Sequence, residues 1–213
     1  MKTEDLTAML AANLEPIDPT RTRRRYVVGI TAGLLGAFSL VAGVLHLNPA
    51  LPREATQSAF WVREVFCASL SVLAVLMTGR LARPGSRLGV VPAAIVGVVF
   101  TLWILAAAAL LSVPPESRLP LLLGSTFAVC PFLIALVAAP LFLAFVWVLK
   151  DLAPTRLRWA GAGAGFAAGA MGALTYSLHC PELAAPFIGV WYLLGMLIPT
   201  AIGASLGPQL LRW

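Results

Sequence analysis

The sequence predicts an all-α membrane protein, a bundle of six transmembrane helices with a short cytoplasmic amphipathic helix at its N-terminus. Its 213 residues are 60% hydrophobic and only 11% charged, whereas a soluble domain carries roughly 25% charged residues. The mean hydropathy of +0.90 requires an apolar exterior, which only a lipid environment makes stable. Six apolar runs also approach the roughly 20 residues that a helix needs to cross a bilayer. These observations exclude a soluble globular enzyme.

The first 25 residues form the only segment that can act independently of the membrane. Apolar residues recur at helical spacing near its start, and prolines at 16 and 19 end the predicted helix. A helix of about eleven residues is marginal alone in water, so this stripe needs a surface. The surface is the membrane or a groove in a partner protein, and the absence of a basic flank favours the protein. The stripe consists of Leu6, Met9, Leu10 and Leu14.

The remaining residues, 26–213, form the predicted transmembrane domain. Five of the 15 Lys and Arg residues lie in the tail, three in each of the connections 80–87 and 150–158, and one at the C-terminus. Because cytoplasmic connections hold the excess of Lys and Arg, both termini are predicted to be cytoplasmic. This topology accounts for the net charge of +6, so nucleic acid is not an expected partner. The six runs are 27–47, 59–79, 88–111, 126–149, 159–179 and 187–206.

Charged residues are scarce inside the predicted spans, which disfavours an ion-coupled transporter. Arg63 and Glu64 are the two exceptions, near the outer end of the second span. Arg63 is expected to reach the outer headgroups, and Glu64 to face the bundle interior. Glycine pairs four residues apart predict close helix packing. These pairs are Gly29 and Gly33, Gly165 and Gly169, and Gly203 and Gly207.

Two of the three cysteines, Cys130 and Cys180, are directly followed by proline near the outer ends of the fourth and fifth spans. Proline predicts a helix break at each position, and the topology allows the two thiols to meet. In an oxidising periplasm they would form a disulfide. Alternatively, Cys130, Cys180 and His179 bind a soft metal ion, or both cysteines are buried as small apolar residues.

Two enzyme-class alternatives use the same end of the bundle. One is a membrane thiol oxidoreductase, although the cysteines lack CxxC spacing. The other is a haem protein with His46 and His179 as axial ligands.

Several segments also resemble a known family, the NrsF-type membrane anti-sigma factors of proteobacteria. The resemblance rests on MKTEDLTAMLAANL, LLGSTFAVCP around Cys130, LAPTRLRWAGAGAG, and LTYSLHCPELAAPFIGVWYLLG through LGPQLLRW. It implies a bacterial inner-membrane protein, without enzymatic activity or resident cofactor. Its N-terminal segment would hold an ECF sigma factor inactive. Cys130 and Cys180 would be the sensors of heavy-metal or oxidative stress.

One position departs from the family pattern. The family often has Trp-Arg shortly before its first cysteine, whereas this chain has Phe127 and Ala128. Loss of that cation predicts a smaller thiolate fraction at Cys130, and therefore a stimulus different from that of its relatives.

Overall fold

The computed structural model describes residues 19–83 and 85–212, and these residues contain helices and connections but no strand. The predicted stripe of Leu6, Met9, Leu10 and Leu14 lies outside the described residues. The six long helices are α1 Pro19–Leu40, α2 Ser58–Leu81, α3 Val91–Leu111, α4 Cys130–Lys150, α5 Leu157–Tyr176 and α6 Leu193–Leu210. Shorter elements are the helices Leu51–Glu54, Pro115–Leu123 and Ala185–Phe187 and the π-helical turns Val41–Leu45 and Ile188–Tyr192.

Five helical stretches of the described chain are long and apolar enough to cross a membrane. They are Arg23–Leu45, Ser58–Leu81, Val91–Leu111, Cys130–Lys150 and Ala185–Leu210. The fifth predicted span does form a helix, α5, but α5 is not among them. Its sequence is rich in glycine and alanine, which are less hydrophobic than leucine or valine. Fourteen of its 20 residues are buried, so α5 meets other helices on most sides.

Helix α5 is the centre of the bundle, because it packs against α2, α4 and α6. Its backbone lies almost directly on α6. A β-carbon at Gly161 would overlap the carbonyl oxygen of Gly203, and one at Gly165 would overlap that of Pro199. The glycine pairs predicted from the sequence therefore do mark close helix contacts. In lipid there is no hydrophobic force between helices, so such van der Waals contacts stabilise the bundle.

Helix α1 packs along α4 through the same kind of contact. A β-carbon at Gly33 would lie 3.1 Å from the Cα atom of Leu141, and one at Gly29 would lie 2.7 Å from a methyl carbon of Val148. The first helix of the bundle therefore has α4 as its main neighbour.

Both Cys-Pro sites lie at helix breaks, as predicted. Cys130 is the first residue of α4, with proline in the first turn, where a missing N–H donor costs no helical hydrogen bond. Cys180 lies in the non-helical connection between α5 and the short helix Ala185–Phe187. The N–H group of Cys180 donates back to the main-chain oxygen of Tyr176 in α5 at 3.2 Å, but the main-chain oxygens of this connection need donors from elsewhere.

Candidate functional site

The structure brings Cys130 and Cys180 together at one end of the bundle. Both thiols are free and fully buried, and they are close enough for the Cys130 thiol to lower the pKa of Cys180. The hydroxyl oxygen of Thr126 lies 4.0 Å from the Cys180 sulfur. Two residues that are fifty positions apart in the sequence therefore form one thiol pair. The third cysteine, Cys67, is buried within α2 and also free.

Arg63 of α2 fastens the connection that carries Cys180. Its Nη1 donates hydrogen bonds to the main-chain oxygens of Cys180, at 2.8 Å, and Glu182, at 3.0 Å. Its Nε donates to the neighbouring Glu64 carboxylate at 3.1 Å. The expectation that Arg63 extends to the headgroups is therefore wrong, since the side chain is 0% exposed. The two carbonyls replace water at Nη1, whereas Nη2 is buried without a hydrogen-bond partner among the described residues.

Two carboxylates extend this network on either side of the thiols. Glu64 accepts a hydrogen bond from the Ser177 hydroxyl at 3.0 Å. Glu182 accepts from both the main-chain N–H and the hydroxyl of Ser125, each at 2.7 Å. A β-carbon at Gly124, where φ is +57°, would lie 2.8 Å from the Glu182 carboxylate. The residues just before Cys130 are thus tied to the residues just after Cys180.

The electrostatic setting of Cys180 favours its thiolate. The hydrogen bond from the Cys130 thiol lowers the pKa of Cys180 most, and the main-chain N–H of Glu182 and the positive charge of Arg63 act in the same direction, against the effect of burial. A cation from a different helix, Arg63, thus acts on Cys180. Sequence reasoning missed this role of Arg63, although a charged residue inside a span is itself a signal of function.

His179, which is predicted from the sequence to share a metal site with Cys130 and Cys180, has a main-chain hydrogen-bond partner. The Nδ1 atom of His179 is hydrogen-bonded at 2.8 Å to the main-chain oxygen of His46, the residue that follows the π-helical turn Val41–Leu45. Across the described residues, no cluster of three or more His, Cys, Asp or Glu side chains could hold a metal ion. His46 and His179, predicted as a haem pair, are close in space. The contact joins the ring of His179 to the main-chain oxygen of His46.

The fold and the site together define a helical membrane protein with a buried thiol pair fastened by an internal arginine. The chain belongs to the NrsF family, described as "Negative regulator of sigma F", whose model matches residues 10–213. It is 45% identical over 213 residues to the "Probable anti-sigma-F factor NrsF" of Azospira oryzae, with both chains covered completely. It is also 34% identical to the "Anti-sigma-F factor NrsF" of Caulobacter vibrioides, again over the full length of both. No solved structure matches this chain.

Proposed function

We propose that this protein is a membrane anti-sigma factor, a regulator and not an enzyme. Residues 1–25 bind an ECF sigma factor through the apolar stripe and withhold it from RNA polymerase. The observation that carries this proposal is membership of the NrsF family over residues 10–213. The names of the two relatives, which align over their full lengths, support it.

In this proposal the bundle crosses the bacterial inner membrane six times and both termini are cytoplasmic. Helix α5 is the sixth spanning helix, because its burial among α2, α4 and α6 spares its small residues from lipid. The distribution of Lys and Arg supports the orientation. Helix α4 has Cys130 at one end and Lys150 at the other, so the basic end faces the cytoplasm and the thiol pair faces the periplasm.

Cys130 and Cys180 are the stress sensors in this proposal. An oxidant such as diamide removes two electrons and two protons from the pair. A sulfur–sulfur bond forms while the diazene is reduced to a hydrazine. A soft metal ion bound by both sulfurs is the other stimulus to consider. Either event releases the sigma factor only if the two thiol states stabilise different arrangements of the bundle.

The experiment is affinity capture of the full-length protein from its native host, with bound proteins identified by mass spectrometry. Leu6→Ser combined with Leu10→Ser is expected to abolish capture of a sigma factor, because it removes half of the apolar stripe. Capture that persists unchanged in this variant would contradict binding through the stripe.

The sensing half is tested in the same assay by adding diamide or cadmium to the cells. Cys130→Ser and Cys180→Ser are expected to retain the sigma factor under stress, whereas the native protein releases it. Cys67→Ser is the matched control, because this thiol is equally buried but not part of the pair. Release by both variants at the native level would show that the stimulus is sensed elsewhere.

A further inference from the structure

At the end of the bundle opposite the thiols, Arg25 is held against α4. Its guanidinium forms an ion pair with Asp151, donates a hydrogen bond to the main-chain oxygen of Trp147 at 3.0 Å, and lies 4.0 Å from the centre of the Trp147 ring. Its neighbours Arg23 and Arg24 are exposed. We call the contact of Arg25 with Trp147 and Asp151 the Arg25 clamp.

The next residue, Tyr26, contacts a different helix. Its hydroxyl is buried and lies 4.0 Å from where a β-carbon of Gly79, in α2, would be. Two consecutive residues at the start of α1 therefore touch α4 and α2. This is where the segment with the predicted sigma-factor contacts joins the bundle.

The same two helices hold the thiol pair at their other ends. Helix α4 begins at Cys130, and α2 carries Arg63, which binds the main chain of Cys180. Helix α4 is 21 residues long, about 30 Å, so it runs the whole distance from Cys130 to Trp147. Pro140 lies in its interior, where the missing helical hydrogen bond lets a helix bend. A change at Cys130 that shifts α4, or bends it at Pro140, therefore alters the position of Trp147 and Asp151.

We propose that the Arg25 clamp is the readout of the thiol pair: oxidation of the pair displaces α4, the clamp opens, and the base of the N-terminal segment is freed. This rests on the proposed function in taking that segment as the one that binds the sigma factor. The clamp suits this role because a partly exposed ion pair is screened by water and contributes little to stability, so a small movement of α4 is sufficient to open it.

The first test needs no sigma factor. The full-length protein in nanodiscs is treated with phenylglyoxal, which modifies guanidinium groups, and the ratio of modification at Arg25 to that at Arg24 is measured by mass spectrometry before and after diamide. Arg24 is the internal control, because it is exposed and has no ion pair within the described part of the chain. The clamp predicts a low ratio that rises at least fivefold on oxidation.

Three variants sharpen this measurement. Asp151→Asn is expected to give a high ratio that diamide does not change. Cys130→Ser combined with Cys180→Ser is expected to give a low ratio that diamide does not change. Arg25→Lys combined with Arg24→Lys, with phenylglyoxal replaced by an amine reagent, repeats the ratio measurement if the asparagine variant does not fold. A native ratio unaffected by diamide, or a ratio in Asp151→Asn equal to the native one, would overturn the proposal.

The second test uses capture of the sigma factor from membranes. Arg25→Gln and Asp151→Asn leave the clamp open, so they are expected to capture less than half as much sigma factor as the native protein before any oxidant is added, while Arg24→Gln captures and releases it as the native protein does. Exchange of the charges, Arg25→Asp with Asp151→Arg, should restore capture and its loss on oxidation. Native capture and release in both single variants, with the native phenylglyoxal ratio unchanged, would refute the clamp and leave the anti-sigma role intact. A clamp that opens on oxidation while no sigma factor is captured would refute the proposed function alone.

Discussion

The two ends of the bundle each hold an arginine, but they hold it in opposite ways. At the thiol end, Arg63 is 0% exposed and is bound mainly by main-chain carbonyls. At the other end, the side chains of Arg25 and Asp151 are 24% and 48% exposed. A buried cation that loses its partners is costly, whereas an exposed ion pair is screened by solvent. The contacts of Arg63 are therefore the stronger of the two sets, and the ion pair of Arg25 is the one that opens more readily.

The difference between the two ends is tested most directly by replacing each arginine in turn. Arg63→Met leaves two buried carbonyls without their donor and Glu64 without its partner, so we expect a loss of about 3 to 5 kcal/mol in the free energy of unfolding. Arg25→Met should cost about 1 kcal/mol or less. The measurement is unfolding of the purified protein by SDS in mixed micelles. Equal losses in the two variants would show that the ends do not differ in this way.

Close packing of α5 against α6 is a second source of stability, apart from the Arg25 ion pair. Gly161 of α5 lies against the main chain of α6, so Gly161→Ala should separate these helices and cost about 1 to 3 kcal/mol. Gly97→Ala is the matched control in α3, because nothing lies within 4 Å of its β-carbon position. That variant should gain up to about 1 kcal/mol from helix propensity. The same unfolding assay measures both, and a stabilised Gly161→Ala would contradict the tight α5–α6 contact.

The sequence predicts the helices and the meeting of the thiols because both follow from patterns along the chain. Apolar run lengths define the long helices, and each Cys-Pro pair defines a break. The burial of Arg63 could not be predicted in this way. Its position near the end of an apolar run is equally compatible with the headgroups, and its acceptors lie in a connection more than a hundred residues away. The sequence also cannot indicate that α5 lies in the middle of the bundle, since its burial by the neighbouring helices is not visible in its hydropathy.

The Glu182 contact tests whether the two sides of the thiol pair are fastened independently. Glu182→Gln removes the charge that strengthens both hydrogen bonds from Ser125, and we expect a loss of about 1 kcal/mol, since a neutral amide oxygen can still accept. Glu116→Gln is a suitable control, because this exposed carboxylate lies in the first turn of Pro115–Leu123, away from the thiols. A loss as large as that in Arg63→Met would mean that Glu182 and not Arg63 is the main fastening.

The smallest effect that we predict concerns the acidity of Cys180. It tests whether the hydrogen bond from Cys130, or Arg63 and the main chain, lowers the pKa of this thiol. The hydrogen bond from Cys130 is the main reason why the pKa of Cys180 is lowered to about 6. The rate of Cys180 modification by methyl methanethiosulfonate should therefore fall only below that pH, and not below about 8.5 as for an ordinary thiol. Cys130→Ser keeps a donor and should keep the low midpoint. Cys130→Ala removes the donor, and because such a bond contributes about 1 kcal/mol, the midpoint should rise by roughly one unit. If serine and alanine gave the same midpoint, the acidity of Cys180 would come from Arg63 and the main chain, and the thiol end would be fastened and charged by the same residue.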